Sequence, residues 1–321
     1  MSADSPAMVQ RRTSESQAQP TPAADRPQRI AAKRRISRGL VISMTVLLFG
    51  LAVFIRSLVI APTMQWGVVA NYLFSSLILT GVLHTIELTV LCEVLAVASG
   101  GILAWLLVSG NVAWRSAVHA YQWFFRSVPE LAQLIFWFNL ALVFPALKIG
   151  IPFGGPTFGS LPTNEVMTPW LAAVVGIGLH EGAYLAEVFR SGIESVDTGQ
   201  RDAARALGLS QHRAFWRVIL PQAMWVIVPN AGSRLIGTLK LTALASVLAI
   251  QELLYTTESI YARTFQTVPL LLVASVWYMA CVAVLRVTQT LLERHYARTA
   301  SGRRRRKASD RSTAVLAEST P

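Results

Sequence analysis

The chain has 321 residues, 53% of them hydrophobic and 14% charged, with a formal net charge of +12, whereas soluble domains average about 45–50% apolar and about 25% charged. That balance excludes an ordinary soluble globular protein and points to a membrane protein. Eight Lys or Arg lie in residues 1–39 and eight in 291–321, leaving thirteen for the 251 residues between. Basic ends around an apolar middle follow the retention of Lys and Arg in the cytoplasm, and this argues against nucleic acid as a partner.

The first segment, 1–39, is rich in Pro, Ser, Ala and Gln and is expected to be a disordered, basic cytoplasmic tail. The apolar run Leu40 to Ile60 begins too late and continues too long for a signal peptide, so it predicts an uncleaved anchor helix with its N-terminus inside. Five further runs are long enough to cross a bilayer: Leu79 to Val108, Tyr121 to Leu147, Trp170 to Phe189, Met224 to Ile250 and Val268 to Leu291. The second and third of the six are long for one crossing and are expected to tilt or extend beyond the bilayer. The outer connections 61–78, 148–169 and 251–267 carry only Lys148 and Arg263, while the inner ones carry Arg115, Arg190, Arg201, Arg205, Arg213 and Arg217. This asymmetry puts both termini in the cytoplasm. The expected fold is an all-α membrane protein of about six transmembrane helices, ending in a basic tail, 292–321, held near anionic membrane lipid.

Cys92 and Cys281 sit in apolar runs without CxxC or Cys/His spacing and are expected to be small buried hydrophobes. The histidines His84, His119, His180, His212 and His295 are scattered, and neither HExxH nor GxSxG occurs. No catalytic residue, metal ligand or cofactor of the chain's own is therefore expected.

The inner segment "DAARALGLSQHRAFWRVILP", Asp202 to Pro221, reads as two short helices around a corner. Thr198 is placed to cap the first helix, with Asp202 in its early turns. Gly208 suits the left-handed residue that ends it. Ser210 is placed to cap the second helix, on which Phe215, Val218 and Ile219 share a face. Pro221 is expected to stop that helix after about two turns. A DNA-binding helix-turn-helix fails on context, because an apolar segment follows at once and no recognition surface is left. An amphipathic connection lying on the membrane is the plain alternative.

The stretch resembles the EAA loop of ABC importer permeases: Glu-Ala-Ala, three residues, Gly, nine residues, Ile, one residue, Leu-Pro. Asp202, Ala203, Ala204, Gly208, Val218, Leu220 and Pro221 stand at those places with the spacing intact. Asp202 for Glu and Val218 for Ile are conservative departures. "HEGAYLAEVFRSGIESV" is similar to a segment of the polar amino-acid permeases through Gly182, Ala183, Tyr184, Ala186, Glu187, Arg190, Gly192 and Ile193. "GVLHTIELT", "FFRSVPELAQL" and "TLKLTALASVLAIQELL" resemble three further stretches of that family in the right order.

The resemblance implies a five-helix permease core over 79–291, with a cytoplasmic coupling loop at about 190–222 and Leu40 to Ile60 as an additional helix in a bacterial cytoplasmic membrane. It implies a cytoplasmic ABC ATPase dimer that receives the loop, a second permease chain as homodimer or heterodimer, an extracytoplasmic solute-binding protein and an amino-acid solute. The sequence holds no GxxxxGK[ST], so ATP and Mg are expected on the partner ATPase. An ion-gradient-driven secondary transporter and a purely structural membrane subunit are the alternatives.

Ionisable side chains within spans are costly and mark a solute pathway by default. Arg234, Thr238 and Lys240, near Ser233 and Gly237, form a polar stripe at helical spacing, and Glu87, Glu130 and Glu181 join them as pathway candidates. For each of them a structural ion pair or snorkelling near an interface is the alternative, and Arg56 and Arg126 fit that alternative better than the pathway. A lining that includes Arg234 and Lys240 is expected to favour acidic or zwitterionic amino acids over cationic ones.

Overall fold

A computed structural model describes residues 38–150 and 157–318, so the N-terminal segment expected to be disordered lies outside the described residues. Helix α1 (Arg38–Ile60) is apolar on every side, and residues 41–60 are all exposed. An unpatterned apolar helix of 20 residues suits lipid.

From residue 61 onward the chain forms a helical core. The connection expected at 61–78 contains α2 (Trp66–Leu73) and leads into α3 (Ser76–Val108), whose N-terminus is capped by the Ser75 hydroxyl. Next come α4 (Val112–Ser127), α5 (Glu130–Phe138) and the single turn α6 (Leu140–Val143). The third predicted crossing, Tyr121 to Leu147, is therefore not one helix. It starts earlier and breaks at Pro129, which has no N–H to offer the Phe125 carbonyl. Gln133 Nε2 donates there instead, at 2.9 Å, and to Val128 O at 2.8 Å, so the break is internally satisfied.

The outer connection expected at 148–169 holds an antiparallel pair, β1 (Ala146–Gly150) and β2 (Thr157–Pro162), in which Leu147 faces Leu161, followed by the turn α7 (Thr163–Val166). Helix α8 (Pro169–Glu194) starts with Thr168 as cap and Pro169 in its first turn. It packs mainly against α3. Small residues permit this: a Cβ added to Gly100 would lie 2.9 Å from Leu185 Cβ, and one added to Gly178 would lie 2.9 Å from Leu95 Cδ2.

The inner segment forms α9 (Thr198–Ala206) and α10 (Gln211–Ala214), then a π-helical turn, Phe215–Ile219, that runs directly into α11 (Leu220–Leu241). A 3-10 turn, Thr242–Leu248, ends at Ala249 with φ 58°, and α12 (Leu253–Thr264) and α13 (Thr267–Glu318) follow. The final helix does not stop near Leu291 as expected, because no proline occurs between Pro269 and Pro321 and the intervening Ala, Arg, Lys and Leu favour helix.

Three apolar clusters hold the core together. Leu88, Leu134, Ile177 and Leu248 join α3, α5, α8 and the 3-10 turn, while Val69, Val82, Leu253 and Val273 join α2, α3, α12 and α13. Ile193, Val196, Ala223 and Ile227 join the end of α8 to α11 beside the inner segment. At the opposite end of α11, buried Glu252 caps α12 through Leu254 N (2.8 Å) and Tyr255 N (2.6 Å) and accepts from Tyr278 Oη at 2.9 Å. Cys92 is buried and Cys281 half-buried, and both are free thiols.

Candidate functional site

The first part of the site is the inner knob. Its first helix is capped by Asp197, whose carboxylate accepts from Gly199 N at 2.7 Å. Thr198, one residue later, is therefore the first helical residue instead of the cap. Gly208 has φ 69°, the left-handed conformation its position demanded. Ser210 caps α10 by accepting from Arg213 N. Ala204 is buried, whereas Asp202, Ala203 and Leu207 are exposed, and Asp202 lies 3.6 Å from Arg205 Nη1. Arg201 Nη2 donates to Ile193 O at 2.7 Å and ties the knob to the last turn of α8.

Pro221 does not end the second helix. The π-helical turn over Phe215–Ile219 widens the ladder before the proline, which absorbs both the missing N–H and the ring's clash with the preceding turn. Gln222 Nε2 donates to Val218 O at 2.7 Å. Phe215 and Ile219 pack on the apolar cluster at the base of α8 and α11, while Trp216 stays 54% exposed. The knob thus joins α11 without a flexible link.

The second part is a charged cluster halfway along α8. That helix has 26 residues, about 39 Å at 1.5 Å per residue, so Glu181 falls near the midplane of a hydrocarbon core about 30 Å thick. Arg234 of α11 grips Glu181 with two bonds, Nε to Oε2 at 2.9 Å and Nη2 to Oε1 at 2.7 Å. The Glu181 side chain is 3% exposed and that of Arg234 32%. The Arg234 guanidinium also lies 4.1 Å from the centre of the Tyr184 ring, and that of Arg126 lies 4.7 Å from it.

Around this pair, Arg126 Nη2 donates to Ala183 O at 3.0 Å and Gln122 Nε2 to the same carbonyl at 3.2 Å. Arg126 is thus seated on α8 and does not merely snorkel. Buried His180 lies 3.4 Å from Glu130 Oε1 and 3.4 Å from Gln133 Nε2. One turn away, the single Thr238 hydroxyl proton has two acceptors in reach, Glu93 Oε2 and Arg234 O, each 3.1 Å from Oγ1.

Among the candidates, only Glu181 and Arg234 meet side chain to side chain; Thr238 stands one turn on from Arg234 in α11 and bonds Glu93, and Glu130 pairs with His180, whose ring lies against Tyr184. Ser233 is exposed and bonds to Pro229 O at 3.0 Å. Lys240, at the end of α11, and Glu87, on α3, are exposed and outside the cluster. The sequence reading missed Glu93, although the rule that singles out Glu87 applies equally to this second carboxylate in the same apolar run. It also assigned no pathway role to Tyr184, His180 or Gln133. The expected basic lining does not hold for Arg234, whose charge is matched by Glu181. Among the described residues no group of three or more His, Cys, Asp or Glu is placed to hold a metal.

Residues 96–298 match the model of the binding-protein-dependent transport system inner membrane component family. The chain is 38% identical over 271 residues to the arginine transport system permease protein ArgU of Corynebacterium glutamicum, covering 84% of each. It is 29% identical to the histidine/lysine/arginine/ornithine permease HisQ of Salmonella typhimurium, covering 70% of this chain and 95% of that one. The crystal structure of an amino acid ABC transporter with histidines aligns with TM-score 0.57 at 27% identity, over 68% of this chain and 94% of that one. An inward-facing MetNI methionine transporter shares the fold, with TM-score 0.54 at 18% identity over 74% and 99%. Permeases of such importers work with an ATPase and a solute-binding protein. With the apolar helices and the EAA-type knob in place, the chain belongs to the binding-protein-dependent inner membrane components and is a multi-pass permease subunit of an ABC importer.

Proposed function

We propose that this permease carries basic amino acids, arginine foremost, into the cytoplasm. The observation that carries the reading is the bidentate Arg234–Glu181 pair. It offsets the positive charge that favoured acidic solutes, and Glu93, one turn away on α3, has no Lys or Arg within ion-pair distance among the described residues. The 38% identity to an arginine permease over most of both chains supports the same solute class.

In this reading two permease cores enclose the pathway, both termini are cytoplasmic, and ATP with Mg is bound and hydrolysed by the partner ATPase. Asp202, Ala203, Ala204, Gly208, Val218, Leu220 and Pro221 form the coupling element. The exposed face around Asp202, Leu207 and Trp216 docks in the ATPase. Arg201 and the π-helical turn then pass its displacement to α8 and α11, the two helices that hold the ion pair. The closure of the ATPase thereby acts on the midplane cluster through stiff helices.

The test is solute-stimulated ATP hydrolysis in nanodiscs containing this chain, its ATPase, any companion permease and the binding protein. Stimulation by arginine, lysine or ornithine and not by glutamate supports the reading. Stimulation by glutamate alone overturns it.

A further inference from the structure

We propose that Glu93 is a binding group for the solute's side-chain cation, standing at the inner end of a cytoplasm-directed release groove. This deepens the basic amino-acid reading above and rests on it. A groove of about 1320 Å³ runs from Glu93, Val97 and Leu235 at mid-membrane to Arg205, His212 and Trp216 of the coupling element. Its walls are largely apolar, and Glu93 is the only carboxylate among the residues that line it. Arg201 and Arg205 line its cytoplasmic end, on the coupling element, so at the mid-membrane end, beside Val97, Gly101 and Leu235, Glu93 is the one charged lining residue and its apolar neighbours screen it little.

The state of that carboxylate suits a transient cation. Thr238 Oγ1 donates to Oε2 at 3.1 Å and orients the group, while Oε1 accepts no hydrogen bond within the described residues. No Lys or Arg lies within ion-pair distance of Glu93 there, whereas the neighbouring Glu181 is occupied by Arg234. The two carboxylates therefore have different work. Glu181 is committed to holding α8 on α11, and Glu93 is open to the groove. A guanidinium or ammonium reaching Oε1 forms a charge-assisted bond. Thr238 sits on α11, the helix continuous with the coupling element, so displacement of α11 shifts the hydroxyl that orients Glu93 and weakens the hold as the solute leaves.

The experiment compares arginine with citrulline, which has the same length but a neutral ureido group. Equilibrium binding of each labelled amino acid is measured on the permease–ATPase complex in nanodiscs without the binding protein, for the native chain and Glu93→Gln. The arginine-to-citrulline affinity ratio is expected to fall at least tenfold in the variant, and a ratio within twofold of the native one overturns the proposal. A second measurement needs no variant. Carbodiimide labelling of Glu93 in the native complex, read by mass spectrometry, is expected to be suppressed by arginine and not by citrulline, and equal labelling also overturns the assignment. If the native complex shows no preference for arginine over citrulline, the basic amino-acid reading itself fails. A native preference that Glu93→Gln leaves intact sinks only the role of Glu93.

Discussion

Replacing Arg234 with Gln tests whether the Arg234–Glu181 pair holds the centre of the bundle. The change removes both charged donors, at 2.9 and 2.7 Å, and leaves a carboxylate that is 3% exposed without its cation. Breaking a buried pair costs about 3–5 kcal/mol, and because a third of Arg234 remains solvated we expect the lower end, about 3 kcal/mol. Loss of the contact with the Tyr184 ring, 4.1 Å away, acts in the same direction. Glu181→Gln is expected to cost less, about 1–2 kcal/mol, since the guanidinium left behind regains water and the amide oxygen still accepts one bond. The exchanged pair, Arg234→Glu with Glu181→Arg, is expected to recover at least half of the loss. Thermal unfolding of the purified complex, read as the order of midpoints, is the assay. If Arg234→Gln unfolds with the native protein, or if the exchanged pair is worse than either single change, the pair does not hold these helices together and the reasoning is refuted.

Further predictions concern three other places. Gly208→Val is expected to cost about 1–2 kcal/mol or more through its φ of 69° alone, since an added Cβ meets nothing within 4 Å; ATPase pull-down and uptake should both weaken, with Gly208→Asn milder, and unchanged uptake in the Val variant would show that the corner is not needed. Gly100→Ala places a methyl 2.9 Å from Leu185 Cβ and 3.1 Å from Ala186 N, so α3 and α8 must separate, at about 1–3 kcal/mol; a native unfolding midpoint would contradict that contact. Glu252→Ala removes the α12 cap and the acceptor for Tyr278, with an expected loss of about 0.5–2 kcal/mol from the cap. Faster proteolysis between Ala249 and Phe265 reads this loss, with Glu252→Gln intermediate.

The sequence by itself determined the class of the molecule and most of its segments. Runs such as Leu79 to Val108 are apolar over a length that only a bilayer accommodates. The corner at Gly208 and the cap at Ser210 are local backbone requirements, legible because a left-handed residue and a helix start each demand particular side chains. Tertiary structure decided the features that depend on what faces a residue. Pro129 breaks a crossing that periodicity reads as continuous, because Gln133 is at hand to accept the break's cost. Pro221 does not break the helix it was expected to end, because a π-helical turn before it relieves the ladder. For Arg234 the sequence leaves a pathway role and a structural ion pair both open, and Glu181, 53 residues away in the chain, decides for the pair. Thr238 and Glu93 are 145 residues apart and meet only because α3 and α11 pack beside α8. Charge in a membrane is decided by the partner, and helical spacing within one segment carries no information about which helix lies across from it.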